Sequence, residues 1–518
     1  QPVRDAHITL IESGSETVLA ETQTQLSGTY LLDTPETLPE SLMLHIERAH
    51  FDDLNVPIEG QKLQSLRSGE SIIMPDLSMD RKITTAFWIA AVVFVVVLIL
   101  IATGKLHNTL AALLGASLVY LISYLGHPIS ENLFIFDFQQ SLRYIDWNVI
   151  FLIMGMMIVI AVIENTGIFQ WLAFTAYRIS RGKMIFLLPI LMLITGIASA
   201  FLDNVTTMLL MTPISVRIAL SLGLNPLVLL IPEVFASNVI GISTLIGTPT
   251  NILIGSFAQL SFNDFLINLT PGVLLAFIGL LGYVYFTYRK QLAGSPEFSK
   301  LLLEKLEEQA KITEPDNLRK AGIIGFFMLL MFVLGEQVHL VPAVTALVGA
   351  TALMVWIRPD IEEMIEAVDW TTLVFFMSLF IVVGAIQEVG LISLIADGIG
   401  NYVGDNLTLA MLIVVWFSAI LSTIVANIPF TAAMLPVVGY LTSTIPGAEN
   451  MALFYCLSVG SALGGNGSLI GASANMVTSG IAERAGYPIT YVYFLKKGFP
   501  ALLITVSLAS IWLLIRFL

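Results

Sequence analysis

From Ile83 to the end of the chain, apolar runs follow one another with only short polar interruptions, many of them long enough for the ~20 residues that cross a bilayer as a helix. The pattern predicts helices near 85–103, 108–125 and 147–164, then an amphipathic piece at 168–181. Two apolar arms come next, 184–201 and 205–221, flanking a polar tip at Asp203-Asn204. A span from Pro226 is interrupted at Gly247-Thr248-Pro249-Thr250-Asn251, and a helix near 266–288 closes the series. The same order then returns as 321–338, 341–357, 370–386, an amphipathic 391–401, arms 408–424 and 431–445 about Asn427, a broken span 451–481, and 499–517.

The recurrence extends to individual residues. At one constant offset Asp146-Trp147 falls on Asp369-Trp370, Gly167 on Gly390, Asn204 on Asn427 and Pro213 on Pro436. One residue further along, Ser237, Gly241, Leu245, Ile246, Gly247 and Asn251 fall on Ser461, Gly465, Leu469, Ile470, Gly471 and Asn475. The chain is two copies of one unit. If each pair of arms is a re-entrant hairpin returning to its own side, each copy crosses five times, and an odd count inverts one copy relative to the other. The expected fold class is therefore an all-α polytopic membrane protein of two inverted repeats with re-entrant hairpins and broken helices. Membrane repeat 1 covers 83–288, a charged linker 289–320, and membrane repeat 2 covers 321–518. Within the linker, Leu301-Leu302-Leu303-Glu304-Lys305-Leu306 reads as a surface helix.

Residues 1–82 lack such runs and alternate over short stretches instead, as in His7–Ile11, Gly28–Leu32 and Leu42–Ile46. Proline and glycine punctuate them, which predicts a small β-sandwich-like domain, either a lid or partner-binding module or a solubilising cap. This segment holds 14 Asp/Glu against 6 Lys/Arg, most of the chain's net charge of -14, which argues against nucleic acid as a partner. With the linker placed in the cytoplasm, 16 of the 18 Lys/Arg after residue 82 fall in cytoplasmic segments, leaving Arg143 and Arg516 outside. The N-terminal domain is then extracytoplasmic, and an exported start calls for an upstream signal or transmembrane helix. The expected location is the plasma membrane of a prokaryote or an organelle membrane.

Composition agrees: 56% of residues are hydrophobic and 12% charged, which excludes an ordinary soluble globule. One cysteine and six scattered histidines give no disulfide framework and no zinc spacing. No Ser/His/Asp, zinc or nucleotide motif stands out, so an enzyme is not expected. No cofactor is expected beyond Na+ as a coupling ion, and the expected partners are membrane lipid and a small ion or anion substrate.

Broken helices at bilayer depth need a protein-lined, hydrated cavity, because unsatisfied backbone groups are costly in lipid. Gly247, Pro249, Gly464, Gly465 and Gly467 break theirs and free carbonyls that suit a hard cation, while Asn204 and Asn427 add side-chain oxygens. The bland alternative makes these asparagines caps of the tips.

These residues resemble the ion transporter superfamily of arsenite permeases, NhaD-type sodium/proton antiporters and divalent-anion/sodium symporters. Within it the chain is similar to the pink-eyed-dilution P protein and its prokaryotic relatives. The likeness rests on Lys105 to Gly115, Arg178-Ile179-Ser180-Arg181-Gly182, Phe201 to Thr207 and Gly464 to Asn475, with Gly480-Ile481-Ala482-Glu483 beyond. It spans about residues 85–518 and implies a homodimer in which a mobile transport domain carries substrate by an elevator motion against a fixed scaffold. The symporters' Ser-Asn-Thr tips fall on Asp203-Asn204-Val205 and Ala426-Asn427-Ile428, keeping only the asparagines. Val205 and Ile428 replace hydroxyls, which argues against citrate-like or succinate-like substrates.

The two copies differ in charge. Repeat 1 carries Asp203 and Glu233, where repeat 2 has Ala426 and Leu457. An acid at such depth points to function. The expected ion-coupling set is Asp203, Asn204, Glu233, Ser243 and Gly247, with Asn427, Gly467 and Gly471 forming a weaker second site. Asp203, Asn204 and Asn427 are the candidate Na+ ligands. The expected substrate contacts are Asn204, Thr206, Thr248, Asn427, Pro429, Ser468 and Ser473. Against this stand a capping role for Asp203 and an ion pair of Glu233 with Arg217. The function expected is secondary active, Na+- or H+-coupled anion transport, the alternatives being a Na+/H+ antiporter centred on Asp203 or a channel-like anion conductance.

Overall fold

A computed structural model describes residues 3–13, 17–25, 27–35, 37–181, 183–293 and 312–518. The chain is mostly helical, and among the described residues nine helices are long and apolar enough to cross a membrane, so it is an integral membrane protein. It divides into two compact units.

The first unit gathers Gln1–Val93, Ser117–Ser141 and Gly384–Leu391. Its centre is one antiparallel sheet of four strands, β1 (His7–Glu12), β2 (Val18–Gln23), β3 (Leu42–Glu47) and β4 (Leu54–Ile58), in the order β2-β1-β3-β4. Strict alternation turns Ile8 and Leu10 of β1 and Leu42, Leu44 and Ile46 of β3 inward, where they form the core with Ala6 and Ile58. This is one sheet among the described residues, not the two of a sandwich. The stretch Gly28–Leu32 forms no strand: Gly28 turns at φ 73 and Leu31 stays exposed. Polar anchors hold the sheet within this unit. Arg48 pairs with Glu388 with both side chains buried, its Nε donates to Arg4 O at 2.9 Å, and Arg81 donates to Glu388 O at 3.1 Å. His50, also buried, meets Ile135 O at 3.0 Å.

The second unit holds most of both copies, Phe94–Ala116, Leu142–Val383 and Ile392–Leu518. The first copy runs Trp147–Glu164, Ile168–Ser180, Met184–Phe201, Asn204–Ser221, Leu227–Ile240, a 3-10 turn Gly241–Ser243, Pro249–Ala258 and Phe262–Ala293. The second repeats the order with Trp370–Glu388, Leu391–Val403, Leu407–Ile424, Asn427–Thr444, Ala452–Gly464, the 3-10 turn Gly465–Gly467, Ser473–Arg484 and Tyr491–Phe517. The recurring residues have structural reasons. Asp146 accepts from Asn148 N (3.0 Å) and Val149 N (3.3 Å), and Asp369 from Thr372 N (3.1 Å), so the repeated Asp-Trp is an N-cap built twice. Gly167 and Gly390 both turn left-handed, at φ 80 and 88, where a Cβ would strain the chain.

Several boundaries differ from expectation. The arm expected from 431 begins at Asn427, because Pro429 sits in the first helical turn, where its missing N–H costs no bond. The last helix begins at Tyr491 and carries Pro500 within it, and the helix expected from 266 begins at Phe262. After the helix Trp147–Glu164, Thr313 donates to Asn165 O at 2.8 Å and to Thr166 O at 3.1 Å. The surface helix expected at Leu301–Leu306 lies outside the described residues.

Candidate transport site

At the first tip the backbone extends at Leu202 and Asp203 and re-enters helix at Asn204. Asp203 caps that helix: Oδ1 accepts from Val205 N (2.8 Å) and Thr206 N (3.0 Å), and Oδ2 from the Thr206 hydroxyl (2.5 Å). Thr206, an expected substrate contact, is thus committed to Asp203. At the second tip Ala426 stands in the capping place and has no side chain to offer. That tip is tied down through its backbone instead, Asn427 N donating to Gly471 O at 3.1 Å. The Asn427 side chain is buried and makes no hydrogen bond among the described residues, and Pro429 beside it is buried too.

The two breaks are built alike. The Thr244 hydroxyl bonds Ala200 O and accepts from Gly247 N at 3.1 Å; the Ser468 hydroxyl bonds Thr423 O and accepts from Gly471 N at 3.2 Å. Each break is then closed by the asparagine that follows. Asn251 Nδ2 donates to Ile242 O and Thr244 O, both at 2.8 Å, and Asn475 Nδ2 to Gly465 O (2.7 Å) and Ser468 O (2.9 Å). Side-chain amides therefore take up carbonyls that the helix breaks free, an economy expected of buried backbone. Gly247 and Gly471 allow the fit: a Cβ on Gly247 would come within 2.3 Å of Gly241 O, and one on Gly471 within 2.9 Å of Gly465 O. Among the other expected site residues, Ser243 bonds Ile240 O (2.6 Å), Thr248 meets the Thr250 hydroxyl (3.1 Å), Gly467 packs against Thr423, and Ser473 opens the helix after the second break.

Glu233 is 0% exposed. Its Oε2 accepts from Ser215 (2.8 Å) and Thr195 (3.3 Å), while Oε1 has no partner among the described residues. It makes no ion pair among the described residues; Arg217 is exposed and not its partner. One turn on, Ser237 donates to Ser199 at 3.0 Å, so Thr195 and Ser199 of the arm face Glu233 and Ser237 of the broken helix as a polar stripe. In the second copy Leu457 takes the acid's place, and Ser418, the counterpart of Thr195, has a buried hydroxyl with no partner among the described residues.

Sequence reasoning missed the group that links the copies. Asn204 Nδ2 donates to Asn238 Oδ1 (2.9 Å), and Asn238 Nδ2 donates to Asn466 Oδ1 (2.9 Å) and Asn475 Oδ1 (3.1 Å). Crosswise, Ser458 donates to Asn251 Oδ1 at 2.6 Å. Each broken helix thus supplies the group that completes the other's closing asparagine. Asn238 was legible only as a lone amide in an apolar helix, with Ala462 at its place in the second copy. The structure brings Asn204 and the two breaks together through these amides, and Asn427 to Gly471, whereas Asp203 bonds only within its own tip.

Nine apolar helices among the described residues, paired tips and paired breaks closed by buried polar side chains define a membrane transporter. The chain belongs to the family described as citrate transporter, CitMHS, whose profile matches residues 98–457. It is 36% identical over 431 residues to a 46 kDa membrane protein of Mycobacterium leprae, covering 83% of this chain and 99% of that one. An uncharacterized transporter of Synechocystis is 33% identical over 443 residues, 81% and 95% of the two chains. The P protein of Homo sapiens is 31% identical over 517 residues, 85% of this chain and 60% of that one.

Proposed function

We propose that this transporter moves an anion by secondary active transport, coupled to H+ or Na+ through its first copy. The observation that carries the reading is Glu233, fully buried, without an ion pair and with one oxygen unspent. A charged carboxylate in that setting costs several kcal/mol unless a proton or cation accompanies it, so loading and unloading one is the natural use of the group. Asp203, held at the tip 2.5 Å from the Thr206 hydroxyl, keeps lone pairs for a cation beside Asn204. The second copy, with Asn427 and no acid at the places of Asp203 and Glu233, suits an anion better. Citrate, named in the family description, is the first anion to test, although Val205 and Ile428 give the tips no hydroxyl beside their asparagines.

Inversion of the copies and an elevator motion complete the proposal. In support of inversion, Thr109 donates to Thr371 O at 2.9 Å, so the helices Asn108–Gly126 and Trp370–Glu388 start side by side. The N-terminal sheet would then lie outside the cytoplasm, and the protein would work as a homodimer in its membrane. A Na+/H+ antiporter is the second reading, favoured by the confinement of both acids to one copy. Proteoliposomes with imposed Na+ and pH gradients, read with a pH dye and radiolabelled citrate, separate these outcomes. Gradient-driven citrate uptake supports the symporter, and proton release on Na+ addition without anion flux supports the antiporter. Voltage-driven anion flux with no coupling would sink both in favour of a channel.

A further inference from the structure

The buried amides between the two broken helices have a direction. Asn475 spends its Nδ2 on two backbone carbonyls, Gly465 O and Ser468 O, so the atom it turns to Asn238 must be its oxygen. Asn238 therefore faces it with Nδ2, and the same Nδ2 can meet Asn466 only at an oxygen. The atom of Asn466 left over is then Nδ2, a donor. It is fully buried, in a residue 0% exposed, and has no partner among the described residues. At the other end, Asn204 gives its Nδ2 to Asn238 Oδ1, which leaves Asn204 Oδ1, an acceptor, beside Asp203.

We propose that Asn466 Nδ2 is a substrate contact, donating to an anionic oxygen, and that the Asn204–Asn238–Asn466 chain presents it. The assignment rests on the anion-transport reading and gives the second copy a residue for its part in it. Three points favour the donor as a ligand group. A buried N–H without an acceptor is costly, so a position that keeps one in a closed amide array is suited to a ligand that supplies the acceptor. The residue sits in the 3-10 turn Gly465–Gly467 of the copy that lacks acids at the matched positions, so no carboxylate there opposes an anion. The chain also joins the two ends in one sense: a cation at Asn204 Oδ1 would polarise each amide in turn and strengthen the last donor.

Asn466→Asp is the sharpest test, because it retains an acceptor for Asn238 and replaces the free donor with an oxygen. Binding of citrate, succinate and inorganic phosphate to the purified full-length protein would be measured with and without Na+ and at two pH values, alongside unfolding without anion. Asn466→Asp is expected to weaken anion binding by at least about tenfold, and Asn466→Ala by about tenfold, both read on the folded protein, whatever anion-free stability is lost by burying an acid or by removing the acceptor of Asn238. Unchanged anion affinity in a folded Asn466→Asp protein would overturn the assignment while leaving anion transport standing. Failure of both variants to fold would also overturn it, making the asparagine a structural tie. If the unsubstituted protein binds none of these anions, the transport reading fails and takes this assignment with it.

Discussion

Glu233 and Leu457 occupy the same place in two copies of one unit, each on a broken helix packed against an arm. Around Glu233 the arm supplies Thr195 and Ser199, and Ser215 reaches across to donate at 2.8 Å. Around Leu457 the helix lies closer: Gly460 and Gly464 press on Val415 and Ala419, where a Cβ would come within 2.4 and 2.6 Å of their carbonyls. One copy therefore spends its interface on holding an acid, the other on close backbone packing. The tips differ in parallel, Asp203 capping its helix where Ala426 cannot. Duplication supplied two equivalent scaffolds, and at these two matched places only the first keeps an acid.

The comparison can be broken most severely at the breaks. Gly247→Ala should cost more than about 3 kcal/mol, because its Cβ would meet Gly241 O at 2.3 Å and Ser199 O at 2.7 Å, backbone atoms that cannot swing aside. Gly471→Ala, with its nearest atoms at 2.9 Å, should cost less, and thermal unfolding of the two purified variants reads the difference. Next in size are the hydroxyls. Ser215→Ala should cost ~1–3 kcal/mol by stripping a donor from buried Glu233, while Ser418→Ala should be neutral or mildly stabilising, because its hydroxyl bonds nothing. Equal effects in chemical denaturation would mean that the acid is not what distinguishes the copies. The smallest effect lies at the tips, where Asp203→Ala should lose ~1 kcal/mol of capping and Ala426→Asp should gain a comparable amount. A loss in both would show that the second tip is shaped for something other than a cap.

Much of this was legible in the chain. Paired glycines and asparagines recur because two backbones must break, approach and be closed by an amide at matching places, and only those residues fit. The membrane class followed from the apolar runs. Asn238 escaped because its partners, Asn466 and Asn475, lie in the other copy, and pairing across a duplication leaves no spacing to read. Pro429 and Pro500 lie beside the expected helix starts at 431 and 499, yet one sits in a first turn and the other within a long helix. Alternation in residues 1–82 marked strands β1 and β3 but carried no information on the number of sheets. For Glu233 the sequence offered Arg217 as a partner, and only the packing of the arm revealed hydroxyls instead.

The most direct test of coupling in the first copy is Glu233→Gln, which keeps the side chain's size and an oxygen for Ser215 but cannot load or release a proton. In proteoliposomes with an imposed pH or Na+ gradient, the unsubstituted protein is expected to accumulate labelled anion against its gradient. Glu233→Gln should fall to passive equilibration while still binding the anion. Gradient-driven accumulation by Glu233→Gln equal to that of the unsubstituted protein would contradict the account.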